Sequence, residues 1–273
     1  MNGKKKLVVG LISMVMGVLS ACGGPIETPE NVITVIASPV PHTEILEAAK
    51  PILKEKGYDL EITIVNDYQT PNRIVADGYA DANYFQHSPY LELFTKENNL
   101  DLVSVGNVHL EPMAVYSKKY RSLTDLPDNA VVYASTSVAD IGRCIDFFVQ
   151  AGLMEVCDGV TAVDARLEDI ISNPKQIEIK PEIAPEFLVT TYQQEEGDAV
   201  IINANFAIDA GLSPTRDAIA VESSNSPYAN LVAVRPESVD KEKIKVLMDV
   251  LQSQEIKDYI KESYPDGSIL PAE

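Results

Sequence analysis

Tryptophan is absent from this chain, and cysteine and histidine occur only three times each among 273 residues. So few thiols and imidazoles leave little material for a disulfide scaffold or a Cys/His metal cluster, and none stands at metal-ligand spacing. Basic residues are scarce too: 22 Lys and Arg face 41 Asp and Glu, a formal charge of -19. A balance of that sign argues against nucleic acid, which needs basic patches, and it favours solubility. Enzyme signatures are missing: there is no Gly-x-Ser-x-Gly, no phosphate-cradling glycine loop and no His-Glu-x-x-His. No catalysis, metal or cofactor is expected. No repeat, low-complexity tract or heptad pattern is present, and there is a single long apolar run.

That run, residues 7–21, follows Lys4, Lys5 and Lys6 and ends in Leu19-Ser20-Ala21-Cys22. It falls short of the roughly 20 residues a spanning helix needs but suits the apolar region of a secretory signal. Small residues leading straight into a cysteine form the lipobox pattern. In bacteria this marks Cys22 for diacylglyceryl attachment, cleavage before it, and N-acylation. More than one acyl chain anchors stably. The alternative is an ordinary signal with a chance cysteine, and the position of Cys22 at the cleavage point argues against that. Residues 1–21 are therefore expected to be a signal peptide. Residues 22–31, containing GGPIETPE, are expected to be a flexible tether. The mature chain would be held outside the cytoplasmic membrane by lipid on Cys22, without spanning the bilayer. Loss of the three signal lysines takes its charge from -19 to about -22.

Two further cysteines, Cys144 and Cys157, could close a short disulfide loop in an exported protein. They could equally be two small buried thiols. The second reading fits better, because a helix over 141–151 carries the chain away from Cys144.

From Val32 onward, short apolar runs alternate with helical patterns. Strands are expected at 32–37, 60–65, 81–85 and 102–108, with helices at 43–56, 71–77 and 89–97. The second half repeats the theme, with strands at 131–134, 177–179 and 199–203 and helices at 141–151, 167–172 and 185–193. Closing helices follow at 241–251 and 253–262. Such alternation predicts parallel sheets covered by helices on both faces, here arranged as two α/β lobes. Two apolar extended segments, 109–116 and 227–234, are candidates for a pair of hinge crossings. The division that follows is 32–112 plus 228–273 for a discontinuous lobe I, and 113–227 for lobe II. Ligands of open α/β sheets bind beyond the carboxyl ends of strands, often between domains.

Four places there could carry chemistry. In Ala82-Asn83-Tyr84-Phe85-Gln86-His87-Ser88-Pro89-Tyr90 a strand is expected to end near Phe85. Ser88-Pro89 signals a helix start, with Ser as N-cap. His87 and Tyr90 would then flank a helix N-terminus suited to a carboxylate; the plainer reading makes Tyr84, Phe85 and Tyr90 core aromatics and His87 a turn residue. Arg143 lies in the first turn of a helix, where a cation opposes the macrodipole and needs an anion. That anion is either Asp140, acting as N-cap, or a ligand carboxylate gripped by the guanidinium fork. Asn203-Ala204-Asn205-Phe206 and Ser226-Pro227-Tyr228-Ala229-Asn230 supply amides that could orient an amino acid or simply serve turns.

The stretches 38–46 (SPVPHTEIL), Asp67-Tyr68, Pro71-Asn72, 81–90 (DANYFQHSPY), 102–116 (LVSVGNVHLEPMAVY), 203–206 and 226–230 (SPYAN) resemble the methionine-binding lipoproteins of bacterial ABC importers, the MetQ/NlpA family. They run in that family's order over nearly the whole mature chain. The resemblance implies a two-lobed periplasmic-binding-protein fold of type II that closes on a free amino acid, usually methionine, and delivers it to a membrane permease. By matching position, Tyr68, Phe85 and Tyr90 would form an aromatic wall with His87 beside it. Arg143 would hold the carboxylate, and Asn203 or Asn205, with Asn230, would complete the polar contacts. A thioether packs well on such rings. One stretch departs. Where the family reads Asn-Asp-Pro-(Thr/Ser)-Asn-Glu-Gly-Arg, this chain reads Thr136-Ser137-Val138-Ala139-Asp140-Ile141-Gly142-Arg143, so Asp140 stands at the family's ligand-facing Asn. A carboxylate there would repel a ligand carboxylate, attract an ammonium, or merely cap the helix. The expected function is a lipid-anchored solute-binding protein with a methionine-like ligand. Another apolar or modified amino acid, or a surface adhesin or sensor that keeps the fold, are the alternatives.

Overall fold

The computed structural model describes residues 29–161, 164–223 and 228–272. Cys22, the signal segment, the tether up to residue 28, and Ser226 and Pro227 lie outside the described residues.

The first part of the chain forms β1 (Val32–Ala37), β2 (Asp59–Ile64), β3 (Ala82–His87) and β4 (Val103–Leu110), connected by α1 (Glu44–Glu55), α2 (Thr70–Ala76) and α3 (Ser88–Asn98). The middle forms β5 (Ala114–Tyr116), β6 (Val131–Ser135), β7 (Glu155–Val156), β8 (Ile170–Ser172), β9 (Glu178–Ile183), β10 (Ala199–Ile202) and β11 (Ala218–Val221). Its helices are α4 (Ile141–Gln150), α5 (Leu188–Gln193), α6 (Ala204–Asp209) and α7 (Pro214–Asp217). The chain ends with β12 (Ala229–Val234), α8 (Glu242–Leu251), α9 (Gln254–Ser263) and β13 (Leu270–Pro271).

These strands build two main sheets, ordered β13-β4-β12-β3-β1-β2 and β11-β5-β10-β6-β9, plus the small β7–β8 pair. Side-chain alternation explains why both faces of each sheet are covered. Along β12, Val232 and Val234 join the core that α1, α8 and α9 complete, while Leu231 and Ala233 join the cluster of Val75 and Leu91 on the other face. In the second sheet Val115 and Ile201 pack with Phe148 of α4, and Tyr116 and Ile202 with Leu188 and Phe206. Helix α1 buries Ile45, Leu46, Ala49 and Leu53, the stripe expected of a 3.6-residue period.

The sheets are mixed, not parallel throughout as the alternation suggested. β12 runs antiparallel to both β3 and β4, and β5 antiparallel to β10 and β11. Both strands enter from a chain crossing between the sheets, not from a crossover helix, so no βαβ unit fixes their direction. The outgoing crossing is Glu111-Pro112-Met113, between β4 and β5; the returning one leads from β11 to β12. They are tied together: Glu222 N–H donates to the Met113 carbonyl at 2.9 Å, and Met113 N–H donates to Glu222 Oε2 at 3.0 Å.

Three local expectations change. Residues 167–172 form a 3₁₀ turn and then strand β8, which pairs with β7, instead of a helix. Strand β3 continues to His87 instead of ending near Phe85. The N-cap of α3 is His87, not Ser88: its extended backbone leads into the helix and its ring accepts the Tyr90 N–H. Cys144 and Cys157 are free thiols, the first buried and the second half-buried.

Candidate ligand-binding cleft

A cleft with about 390 Å³ of empty space, open solvent included, lies where the two sheets face each other. Tyr68, Phe85, His87, Tyr90, Asp140, Arg143, Asn203, Asn205 and Asn230, singled out from the sequence, all line it, together with Gln86, Glu111 and Ala204.

The first sheet supplies the aromatic side. The β3–β12 register slips between Tyr84 and Gln86, so Phe85 has no partner across the ladder. Such bulges re-aim side chains, and Phe85 joins Tyr90 at the cavity wall, with Phe94 packed against them, while Tyr84 goes to the core. The ring centres of Tyr68, Phe85 and Tyr90 lie 5.8–6.0 Å apart, and Phe206 of α6 approaches Tyr68 at 5.4 Å. Two hydroxyl bonds fix the wall: Tyr90 donates to the Tyr68 carbonyl at 2.6 Å, and Tyr68 donates to Asn205 Oδ1 at 2.7 Å. Beneath β3, Asn72, Asn83 and Gln86 form a closed, buried set of side-chain amide bonds of 2.7–2.9 Å. Such a set holds the strand without adding charge.

The opposite end is ionic. Asp140, buried at the start of α4, makes no capping bond. Its Oδ1 accepts from His87 Nε2 and from Arg143 Nη1, both at 3.1 Å, and its Oδ2 from Asn203 Nδ2 at 3.3 Å. Because His87 Nδ1 accepts the Tyr90 N–H, its proton sits on Nε2 and points at Asp140. Burial would raise the Asp140 carboxyl, but the His87 bond and the Arg143 charge hold it well below the usual carboxylate range. The protein's own anions face Arg143. Besides Asp140, Glu222 grips the guanidinium side-on, accepting from Nε at 3.0 Å and Nη2 at 2.5 Å; the Glu111 carbonyl accepts from Nη2 at 3.2 Å. Tyr228 covers the guanidinium face at 4.3 Å. Burial would lower the Arg143 pKa, but Glu222 and Asp140 hold it above its ordinary value.

Glu111 sits on the outgoing crossing. Its Oε1 lies 2.7 Å from His109 Nε2 and 3.1 Å from His42 Nε2, and its carboxylate also faces the Asn205 backbone N–H. His42 Nε2 is 3.1 Å from Asn230 Oδ1, and His109 Nδ1 meets the Tyr84 hydroxyl. Burial pushes His42 down to about 4 against the pull of Glu111, and burial takes His109 down to about 3, so both rings are neutral near pH 7. Burial raises the Glu111 carboxyl, opposed by His42 and Arg143. Among the described residues this trio is the grouping with metal-ligand character, its donor atoms lying within 4.8 Å of one another. Two ligands of one tetrahedral zinc sit about 3.3 Å apart, so the 2.7 Å contact is that of a closed hydrogen-bonded set that would have to open for an ion.

Glu111, Glu222, Tyr228 and the His42–His109 pair were not singled out from the sequence. Glu111 and Tyr228 fall inside the quoted stretches LVSVGNVHLEPMAVY and SPYAN, at the two hinge candidates, which was the available signal. Glu222 had none: it is 79 positions from Arg143 and resembles the other surface acids.

Two α/β sheets joined by paired crossings, with a cavity between an aromatic wall and an ionic end, define a two-lobed binding protein. Residues 33–273 match the model of the NlpA lipoprotein family, and the chain belongs to that family. It is similar to the methionine-binding lipoprotein MetQ of Bacillus subtilis, 49% identical over 272 residues and 98% of each chain. The D-methionine-binding lipoprotein MetQ of Yersinia pestis is 34% identical over 263 residues and 96% of each chain. A solved nutrient-binding protein of Burkholderia cenocepacia bound to methionine superposes with a TM-score of 0.82 at 35% identity, covering 88% of this chain and all of that one.

Proposed function

We propose that this chain is the solute-binding lipoprotein of an ABC importer and that it captures a free amino acid, methionine first, in the cleft between the sheets. The observation that carries this reading is the polarity of one cavity: Tyr68, Phe85 and Tyr90 offer a thioether a wall of rings, and Asp140, Arg143, Asn203, Asn205 and Asn230 line its polar end. The relatives' names, methionine-binding lipoproteins, support it. On this reading residues 32–112 plus 228–273 and residues 113–227 are two lobes that close over the ligand about the paired crossings, and the closed form docks on a membrane permease. Cys22 carries the lipid that holds the protein outside the membrane; no helix among the described residues is long and apolar enough to span it. The protein binds and does not catalyse.

Mass spectrometry of small molecules released by denaturing the purified protein tests the reading, together with calorimetry of the emptied protein. Methionine or another apolar amino acid should be released and should rebind saturably. A chain that neither carries nor rebinds any free amino acid refutes it.

A further inference from the structure

Side chains alternate along a strand, so residues three apart point to opposite faces. Asn83 and Gln86 of β3 are three apart, yet they share a face, where Gln86 Nε2 donates to Asn83 Oδ1 at 2.9 Å. Between them lies Phe85, the residue with no partner across the β3–β12 ladder. One inserted residue shifts the alternation by one, so this amide bond and the bulge require each other. A regular strand would send Gln86 to the other face and bring Phe85 round to the face of Asn83.

The third amide comes from α2. Asn72 is fully buried. Its Nδ2 donates to Gln86 Oε1 at 2.8 Å, and its Oδ1 accepts from Gln86 Nε2 at 2.7 Å and from Asn83 Nδ2 at 2.9 Å. Flipping any one of the three amides would set N–H against N–H and oxygen against oxygen, so each fixes the others.

The set joins the two elements that carry the aromatic wall. Tyr68 stands outside any helix or strand, in the loop just ahead of α2. Its carbonyl takes the Tyr90 hydroxyl at 2.6 Å. The Asp67 carboxylate accepts the Gln69 and Thr70 N–H groups at 2.8 and 2.7 Å, which ties the loop to the start of α2. Asn72 then ties that start to β3. Tyr68 and Phe85, with ring centres 6.0 Å apart, are thereby spaced through one group of amides. Gln86 lines the cleft, while Asn72 and Asn83 stand behind it.

We propose that Asn72 is the positioning residue for the side-chain end of the cleft. Through Gln86 and Asn83 it holds the bulge that aims Phe85, and through the start of α2 it holds Tyr68. The spacing of those two rings decides which apolar side chains fit, and Asn72 sets it from behind the wall. This rests on the amino-acid reading above and adds to it the origin of side-chain selectivity. A contact residue on a loop is only as well placed as the groups that support it.

Two probes carry the same charged groups and differ in reach: L-methionine, and L-2-aminobutyrate with its shorter apolar chain. Both are titrated calorimetrically into the emptied, full-length lipoprotein in detergent, as wild type, Asn72→Leu and Asn72→Ser. A methylene-sized group in an apolar pocket is worth about 10–200-fold, so the wild type should prefer methionine by more than about tenfold. Asn72→Leu keeps the volume and removes all three bonds. Asn72→Ser is the milder change, and its hydroxyl is too short to span both partners; it decides the matter alone if Asn72→Leu does not fold. Each variant should cut the methionine preference by at least about fivefold. General destabilisation cannot imitate this, because unfolded chains bind neither probe and leave the ratio as it was. A preference within about twofold of wild type in the folded variants overturns the positioning role and leaves the amino-acid reading standing. A wild type that binds neither probe, nor any other free amino acid, overturns both.

Discussion

Arg143→Met should destabilise the fold before it says anything about binding. The guanidinium is buried between two carboxylates, Asp140 and Glu222, with side chains 2% and 12% exposed. Methionine keeps much of the apolar stem and removes the cation. Breaking a buried ion pair by removing one partner costs about 3–5 kcal/mol, because the other charge is stranded. Each anion here retains help: Asp140 keeps His87 and Asn203, and Glu222 keeps the Met113 N–H. The lower end, about 3 kcal/mol, is therefore expected. With a urea slope of about 2–3 kcal/mol/M for a chain of this size, the midpoint should fall by roughly 1–1.5 M. Far-ultraviolet circular dichroism is the suitable probe, since the chain has no tryptophan to report by fluorescence. Adding Glu222→Gln to Arg143→Met removes one stranded charge and should recover part of the loss. Arg143→Lys should fall between, keeping the charge but losing the side-on grip on Glu222. A midpoint for Arg143→Met within about 0.3 M of wild type, or no recovery in the double variant, refutes the claim that these anions depend on Arg143.

Stability should also fall on acidification below about pH 6.5, the unfolded histidine value, because His42 and His109 stay neutral in the fold down to about 4 and about 3 while the unfolded chain takes up protons. The raised Glu111 carboxyl works against this by taking a proton more readily in the fold, so His42→Gln, which removes one buried ring, should flatten the urea-midpoint profile between pH 4 and 6.5; an unchanged slope counts against it. Asp140 adds the depressed-carboxylate case, with stabilisation present above about pH 4 and lost only as pH falls towards its low folded value. Cys22→Ala should leave an uncleaved precursor that takes up no labelled fatty acid, and labelling at the wild-type level would remove the lipobox assignment. X-ray scattering should show a smaller radius of gyration with saturating methionine than with the emptied protein, and identical profiles would argue against lobe closure.

Much of the layout was legible in the sequence because hydrophobic period and turn chemistry are local properties. The strand–helix alternation and the placing of His87 and Tyr90 around a helix start came from spacings of a few residues, whereas the aromatic wall of Tyr68, Phe85 and Tyr90 came only from the family resemblance. Arg143 was also legible as a cation that needs an anion, since a helix dipole is a local fact. The identity of that anion was not. Glu222 reaches it only through the returning crossing, and an acidic residue in a chain of 41 acids carries no mark of burial. Asp140 was ambiguous for the same reason: a carboxylate three residues before an arginine can cap or pair, and the outcome depends on His87 arriving from the other sheet. The directions of β5 and β12 escaped because alternation records the order of elements, not how a strand enters its sheet.

The place of β12 has a consequence for how the chain matures. β3 and β4 follow one another in sequence yet do not pair; the slot between them is filled by β12, made after every strand of the second sheet. The first sheet therefore begins with the earliest strands to emerge and closes among the last. Until Ala229–Val234 arrives, both flanking strands expose backbone edges, and closing the sheet requires a long loop, the kind of non-local pairing that folds slowly. On the proposed location outside the membrane, that delay is useful, because a segment that cannot finish its own sheet stays threadable until its far end has passed through.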